Sequence, residues 1–173
     1  MADVAGEAGL SQGIVNLHCQ SKDNLLKETM QFIAQEYADL FRSALNESGP
    51  GPADKLLALV KADFKPAVCD RQKLAVWFAF WGEAKAIPTY QRIAANLDIS
   101  YTAEMLELCE QLIEEGGYTD VDAKDVSNVL SALADGLWLS RHINPKGWSR
   151  ADAMSAVMSY LKAVFPKHFS DAR

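Results

Sequence analysis

Residues 2–26, ADVAGEAGLSQGIVNLHCQSKDNLL, decide how the rest of this chain is read. Ala2 to Ala8 is short and helix-prone, with Val4, Ala5 and Ala8 on one face. Gly9 follows, where a left-handed residue ends a helix at no steric cost. Leu10 can plug the corner, and Ser11 is a good N-cap for a second helix, Gln12 to about Cys19. Ser21 caps a third. Two short helices joined by a tight turn containing glycine form the helix-turn-helix pattern, whose second helix lies in the DNA major groove.

Working outward, the third helix runs from Lys22 to roughly Asn46. Leu25, Leu26, Thr29, Phe32, Ile33, Tyr37, Leu40, Phe41 and Leu45 recur along it at three- and four-residue spacing, an amphipathic stripe. Ser48-Gly49-Pro50-Gly51-Pro52 is a loop. A helix is expected from about Ala53 to Val68, ended or bent by Pro66. The next, about Arg71 to Ala86, reads as apolar almost all round and therefore central. Pro88 opens a long helix that Gly116-Gly117 stops near Glu115. Asp120 or Asp122 caps another, the turn Asn144-Pro145-Lys146-Gly147 follows, and Ser149 with Asp152 caps the last, which Pro166 terminates. The reading is all-α: about eight helices and no sheet.

Composition narrows the function classes. The chain has 173 residues, a formal charge of -6 and a pI near 5.0, and 49% of it is hydrophobic. That suffices for one sizeable core, and an acidic chain is a poor non-specific nucleic-acid binder. Cys19, Cys69 and Cys109 are odd in number and far apart, so they suggest free thiols rather than a zinc site. No apolar run approaches the roughly 20 residues that span a membrane; the cytoplasm is the expected compartment. His18, His142 and His168 are isolated, and neither a metal-ligand spacing, a G-x-S-x-G nor a phosphate loop is present. An enzyme, a cofactor and a metal are not expected.

The run A-x-V-A-x-x-A-G-L-S-x-G-I-V, followed by S-K-D-x-L-L, resembles the DNA-binding end of TetR-family transcriptional repressors. The resemblance implies that Ala2 to Gly9 is the supporting helix and Ser11 to Cys19 the recognition helix. Ser21 to Leu26 would open the helix joining the two domains. It implies DNA contacts from Ser11, Gln12, Gly13, Asn16, Leu17, His18 and Lys22; Gln12 and Asn16 can read adenine edges. Two departures stand out. The family carries one more helix before this pair, so a domain lacking its first helix is expected. The family's aromatic run falls on Asn16, Leu17, His18, Cys19 and Gln20. Residues 1–27 hold only Lys22 and Lys27 against Asp3, Glu7 and Asp23, little with which to neutralise phosphates.

From about Ala53 onward the chain resembles the ligand-binding domain of the BetI-type branch. The resemblance rests on Trp77-Phe78-Ala79-Phe80-Trp81-Gly82-Glu83-Ala84, on Pro88-x-Tyr90-x-Arg92 and on Asp135-Gly136-Leu137-Trp138-Leu139. It implies an all-helical homodimer built on a four-helix bundle of Asp122 to Arg141 and Ser149 to Phe165, with choline or a similar aldehyde as effector. The aromatics Trp77, Phe80, Trp81, Tyr90, Tyr101 and Trp138 are the candidate pocket, with Glu83 and Asp135 to hold a cation. An aromatic wall suits an apolar or quaternary-ammonium guest. Aromatics at helical spacing also serve as plain core, and such carboxylates are commonly capped or ion-paired.

The division is therefore a partial helix-turn-helix domain, 1–27, and a ligand-binding and dimerisation domain, 28–173. Two readings stand side by side. One is a ligand-responsive, homodimeric transcriptional regulator, a repressor, whose partners are an operator in double-stranded DNA and a small molecule. The other is a helical ligand-binding or dimerisation protein of the same fold that has lost DNA binding.

Overall fold

Ser11 and Ser21 cap the helices that follow them. The Ser11 Oγ accepts the Ile14 N–H at 3.3 Å and the Ser21 Oγ the Asn24 N–H at 3.1 Å. Gly9 turns the chain just ahead of Ser11 at φ +65°. A computed structural model describes residues 1–170, the side chain of Asp98 excepted. The N-terminal pair is α1, Ala2–Glu7, and α2, Gln12–Cys19; α3 is Lys22–Glu47. The remainder is α4, Pro52–Asp63; α5, Pro66–Cys69; α6, Arg71–Glu83; α7, Pro88–Gly116; α8, Ala123–Ile143; α9, Arg150–Val164; and α10, Pro166–Phe169. The described residues contain no strand, and none of their helices is long and apolar enough to cross a membrane.

Proline accounts for the two places where the helices differ from expectation. The single helix expected over 53–68 is two, because Pro66 has no N–H for the ladder and its ring excludes the preceding residue from helical geometry. It opens the one-turn α5 instead. Pro166 ends α9 and then opens α10 in the same way. Between them, Asp122 rather than Asp120 caps α8, accepting the Asp125 N–H at 2.9 Å. Ser149 and Asp152 form a reciprocal capping box on α9.

A further correction concerns α6. It buries Leu74, Trp77 and Phe80 and leaves Ala75, Ala79 and Gly82 exposed, so it lies at the edge of the core and not at its centre. Its outer face is built of small residues, which present little apolar surface to water.

One core runs from Ile33 on α3 to Phe169 on α10 and draws on every helix from α3 onward. A smaller cluster of Met30, Phe80 and Tyr90 sits beside it. The N-terminal pair is bound more thinly: Ala5 and Val15 are its only buried residues.

Candidate ligand cavity and helix-turn-helix surface

The apolar stripe of α4, Leu56, Leu59 and Val60, continues by helical spacing to position 63, where an aspartate stands. Asp63 is 1% exposed. Burying a carboxyl group without partners costs several kcal/mol, and this one is fully engaged. The Tyr37 hydroxyl on α3 donates to Oδ1 at 2.7 Å, and the Tyr101 hydroxyl on α7 donates to Oδ2 at 2.8 Å. The Trp138 indole N–H on α8 donates to the Asp63 backbone carbonyl at 3.0 Å. That carbonyl lies at a helix end and has no acceptor role within its own helix. Three helices thus meet at the last residue of a fourth.

Beside this junction lies a cavity of about 440 Å³. Trp77 and Trp81 of α6, at the helical spacing that keeps them on one face, form one wall with Ala84, the residue that caps its C-terminus. Gln91, Ala94, Ala95 and Leu97 of α7 form another with Tyr101. Ser131, Ala134, Asp135 and Trp138 of α8 supply a third. The alanines leave the room that larger side chains would fill. The aromatic rings are mutually supported: Tyr37 meets Trp77 edge-on at 5.8 Å and Trp138 at 5.9 Å, while Trp81 and Trp138 lie nearly parallel at 6.3 Å.

The electrostatics favour a positive guest. Desolvation pushes the Asp63 carboxyl up to about 7, against the pull of the two phenol hydrogen bonds, and the nearby Asp135 carboxylate adds to the rise. Burial and the Asp63 charge push both tyrosines well above their usual range, so both stay protonated donors. Among the described lining residues there is no Lys, Arg or His.

Of the aromatics and carboxylates singled out in the sequence, Trp77, Trp81, Tyr101, Asp135 and Trp138 are brought together on this cavity. Phe80, Glu83 and Tyr90 are not. Phe80 lies about 60° round α6 from Trp77, where it packs edge-on against Tyr90 at 4.9 Å, next to Met30. Glu83 lies further round the helix and is exposed. Sequence reasoning missed Asp63, Ser131 and Gln91 and placed Tyr37 on the amphipathic stripe of α3 without a site role. The available signal was a carboxylate falling on an apolar stripe; a buried acid has to have partners.

At the other end, Ser11, Gln12, Gly13, Asn16, Leu17, His18 and Lys22 all face outward. Leu17 is 77% exposed. The Ser11 hydroxyl is already committed to its cap.

Residues 52–166 match the family described as BetI-type transcriptional repressor, C-terminal. The HTH-type transcriptional regulator BetI 2 of Chromohalobacter salexigens is 27% identical over 91% of this chain and 74% of its own length. BetI of Serratia proteamaculans is 25% identical over 93% and 79%. Among solved structures, a transcriptional regulator from Pseudomonas aeruginosa PAO1 superposes with a TM-score of 0.81 at 31% identity, covering 96% of this chain and 80% of that one. A regulator from Saccharomonospora viridis, solved in complex with choline, gives 0.82 at 22% identity over 92% and 83%.

Proposed function

This chain belongs to the BetI-type branch of the TetR transcriptional regulators, and we propose that the cavity beside Asp63 takes a small organic cation as effector. As a member it is a ligand-responsive, DNA-binding regulator of the repressor kind. The observation that carries the effector class is Asp63: a desolvated acid, held by two phenols and walled by tryptophans, without a basic residue beside it among the described lining residues. A quaternary ammonium satisfies each of these features. It neutralises the carboxylate, needs no hydrogen bonds of its own, and is attracted to indole faces. The choline bound to the Saccharomonospora viridis protein of like fold supports the same class.

Effector binding would bias the inclination of α3, because Tyr37 on α3 is tied to Asp63. That inclination sets the separation of two α2 helices, which must suit half-sites about one helical turn apart. The dimer this requires has a natural seam. On α8, Val129, Leu139 and Ile143 are exposed apolar residues beside Gly136, a surface that suits a second copy. The boundary between the two domains falls near residue 27, where α3 leaves the helix-turn-helix.

Calorimetric titration with choline tests the effector: saturable binding at one site per chain is expected, and its absence at millimolar ligand overturns the reading. Fluorescence anisotropy with DNA flanking the gene tests the other partner. Residues 1–27 carry only two lysines against three carboxylates. Specific binding is therefore expected to show at low salt and to fall with added salt. A folded dimer that binds choline but no DNA would establish the ligand-binding alternative for this chain.

A further inference from the structure

The cavity beside Asp63 has a floor and a mouth. Asp63, Trp77, Ala134 and Trp138 lie buried on the floor, Asp63 only 1% exposed. Gln91, Ala95 and Asp135 line the same cavity and are exposed. Gln91 and Ala95 stand one turn apart on α7 and form one lip. Asp135 on α8 forms the other. It lies about 60° round the helix from Trp138, between the buried face of α8 and its outer surface. The opening to water marked by the described lining residues is therefore between α7 and α8, beside a carboxylate.

The two acids of the cavity are placed differently. Asp63 is enclosed and held by the Tyr37 and Tyr101 hydroxyls. Asp135 is the acid that water reaches, yet its charge is felt on the floor, where it raises the Asp63 carboxyl and both phenols. The described lining residues include no Lys, Arg or His to oppose it. A cleft lined by one sign of charge between low-dielectric walls concentrates the field and speeds the arrival of an oppositely charged molecule. A charge at a rim acts mainly on association, and a buried one on dissociation.

We propose that Asp135 is the entry residue of the cavity: it draws a small cation to the mouth between α7 and α8 and hands it on to Asp63, so that arrival and retention fall to different carboxylates. The inference rests on the cation reading of the cavity and adds the route by which the guest comes in. The aromatic floor then takes the guest over from Asp135, as indole faces attract an organic cation that has left water.

Trp77, Trp81 and Trp138 line the cavity and report the test. Temperature-jump relaxation of tryptophan fluorescence on the full chain with choline, at about pH 8 where Asp63 is ionised, gives the association and dissociation rates separately. Asp135→Asn should slow association by about 3- to 5-fold at low salt, the attraction of two unit charges about 4 Å apart in water. Its dissociation rate should stay within about 2-fold of wild type. The difference in association should fade between about 0.02 and 0.3 M salt, and Asp135→Glu should restore most of the rate. A variant that only distorted the wall would show a deficit indifferent to salt, and that result overturns the proposal. Faster dissociation with unchanged association overturns it too, as does no change in either rate; both leave the cation reading standing. Should Asp135→Asn fail to fold, a wild-type association rate that is flat with salt overturns it as well. A wild type that binds no choline by calorimetry overturns both.

Discussion

The helix-turn-helix and the helical bundle use their residues in opposite ways. In α1 and α2 the apolar residues Val4, Ile14 and Leu17 are largely exposed, and Ala5 and Val15 alone are buried. In the bundle even an aspartate is buried, and it is held in place by groups from three other helices. The first region presents side chains to a partner and contributes little to the core. The second encloses a cavity and spends stability to keep a carboxyl group on its wall. A protein built this way has its thermodynamic weight at one end and its polymer-reading surface at the other, and the low-stability end is where binding can reorganise structure.

The comparison breaks most visibly at Trp138. Trp138→Ala removes a buried ring, a hydrogen bond to the end of α4 and a wall of the cavity. It is expected to destabilise the bundle by about 3–5 kcal/mol, read as a shift of the main thermal transition.

Asp63→Asn separates function from stability in the bundle. Loss of the charge should weaken cation binding by at least about 30-fold, in the range of removing one member of a desolvated charge pair. Stability moves the other way. The folded carboxyl keeps its proton up to about pH 7, whereas an unfolded one releases it near 4. The folded state therefore holds the extra proton in this window, and wild-type stability falls as pH rises through it. The substituted amide cannot ionise, so the variant should melt above wild type at about pH 8, and the gap should shrink as pH falls and close near about pH 4, where the unfolded carboxyl also takes up its proton. By the same linkage, a cation that needs ionised Asp63 should bind wild type more tightly as pH rises from about 6 to 8. The facing groups Tyr37, Tyr101 and Asp135 do not reverse the sign, since the tyrosines remain protonated and Asp135 only raises the Asp63 value. A pH-independent melting gap would remove Asp63 from this role.

Val15→Ala sharpens the contrast from the other side. It should cost about 1–2 kcal/mol, confined to α1 and α2. Amide exchange over residues 2–19 should speed up while the main melting transition stays in place; a shift of the whole transition would mean that the two regions fold as one unit. The smallest effect is expected at Leu17. With 77% of it exposed, Leu17→Ser should change stability by less than about 0.5 kcal/mol and register only in DNA affinity.

Local rules carried the sequence reading a long way. Caps at Ser11, Ser21, Asp122 and Ser149, and stops at Gly9 and Gly117, are decided by a few neighbouring atoms, so their residues announce them. The cavity is only half legible for the same reason. Trp77 and Trp81 reveal a wall because they share one helix face. Asp63 meets Tyr101 from 38 positions away and Trp138 from 75, and no periodicity within one helix encodes those meetings. Pro66 was visible as a disturbance, and the structure shows that it divides the helix in two, with Val68 and Cys69 buried in the second piece.

Helix α3 is uninterrupted from Lys22 to Glu47, and Tyr37, its anchor on the cavity, stands about 15 residues from the end that bears the helix-turn-helix. At the rise of an α-helix that is a lever arm of about 22 Å. A pivot of only about 3° at the anchor sweeps the far end of such an arm through about 1 Å. Packed interiors transmit strain, so under the proposed effector mechanism a shift of the Tyr37 phenol by less than a bond length would be felt where the chain meets its operator.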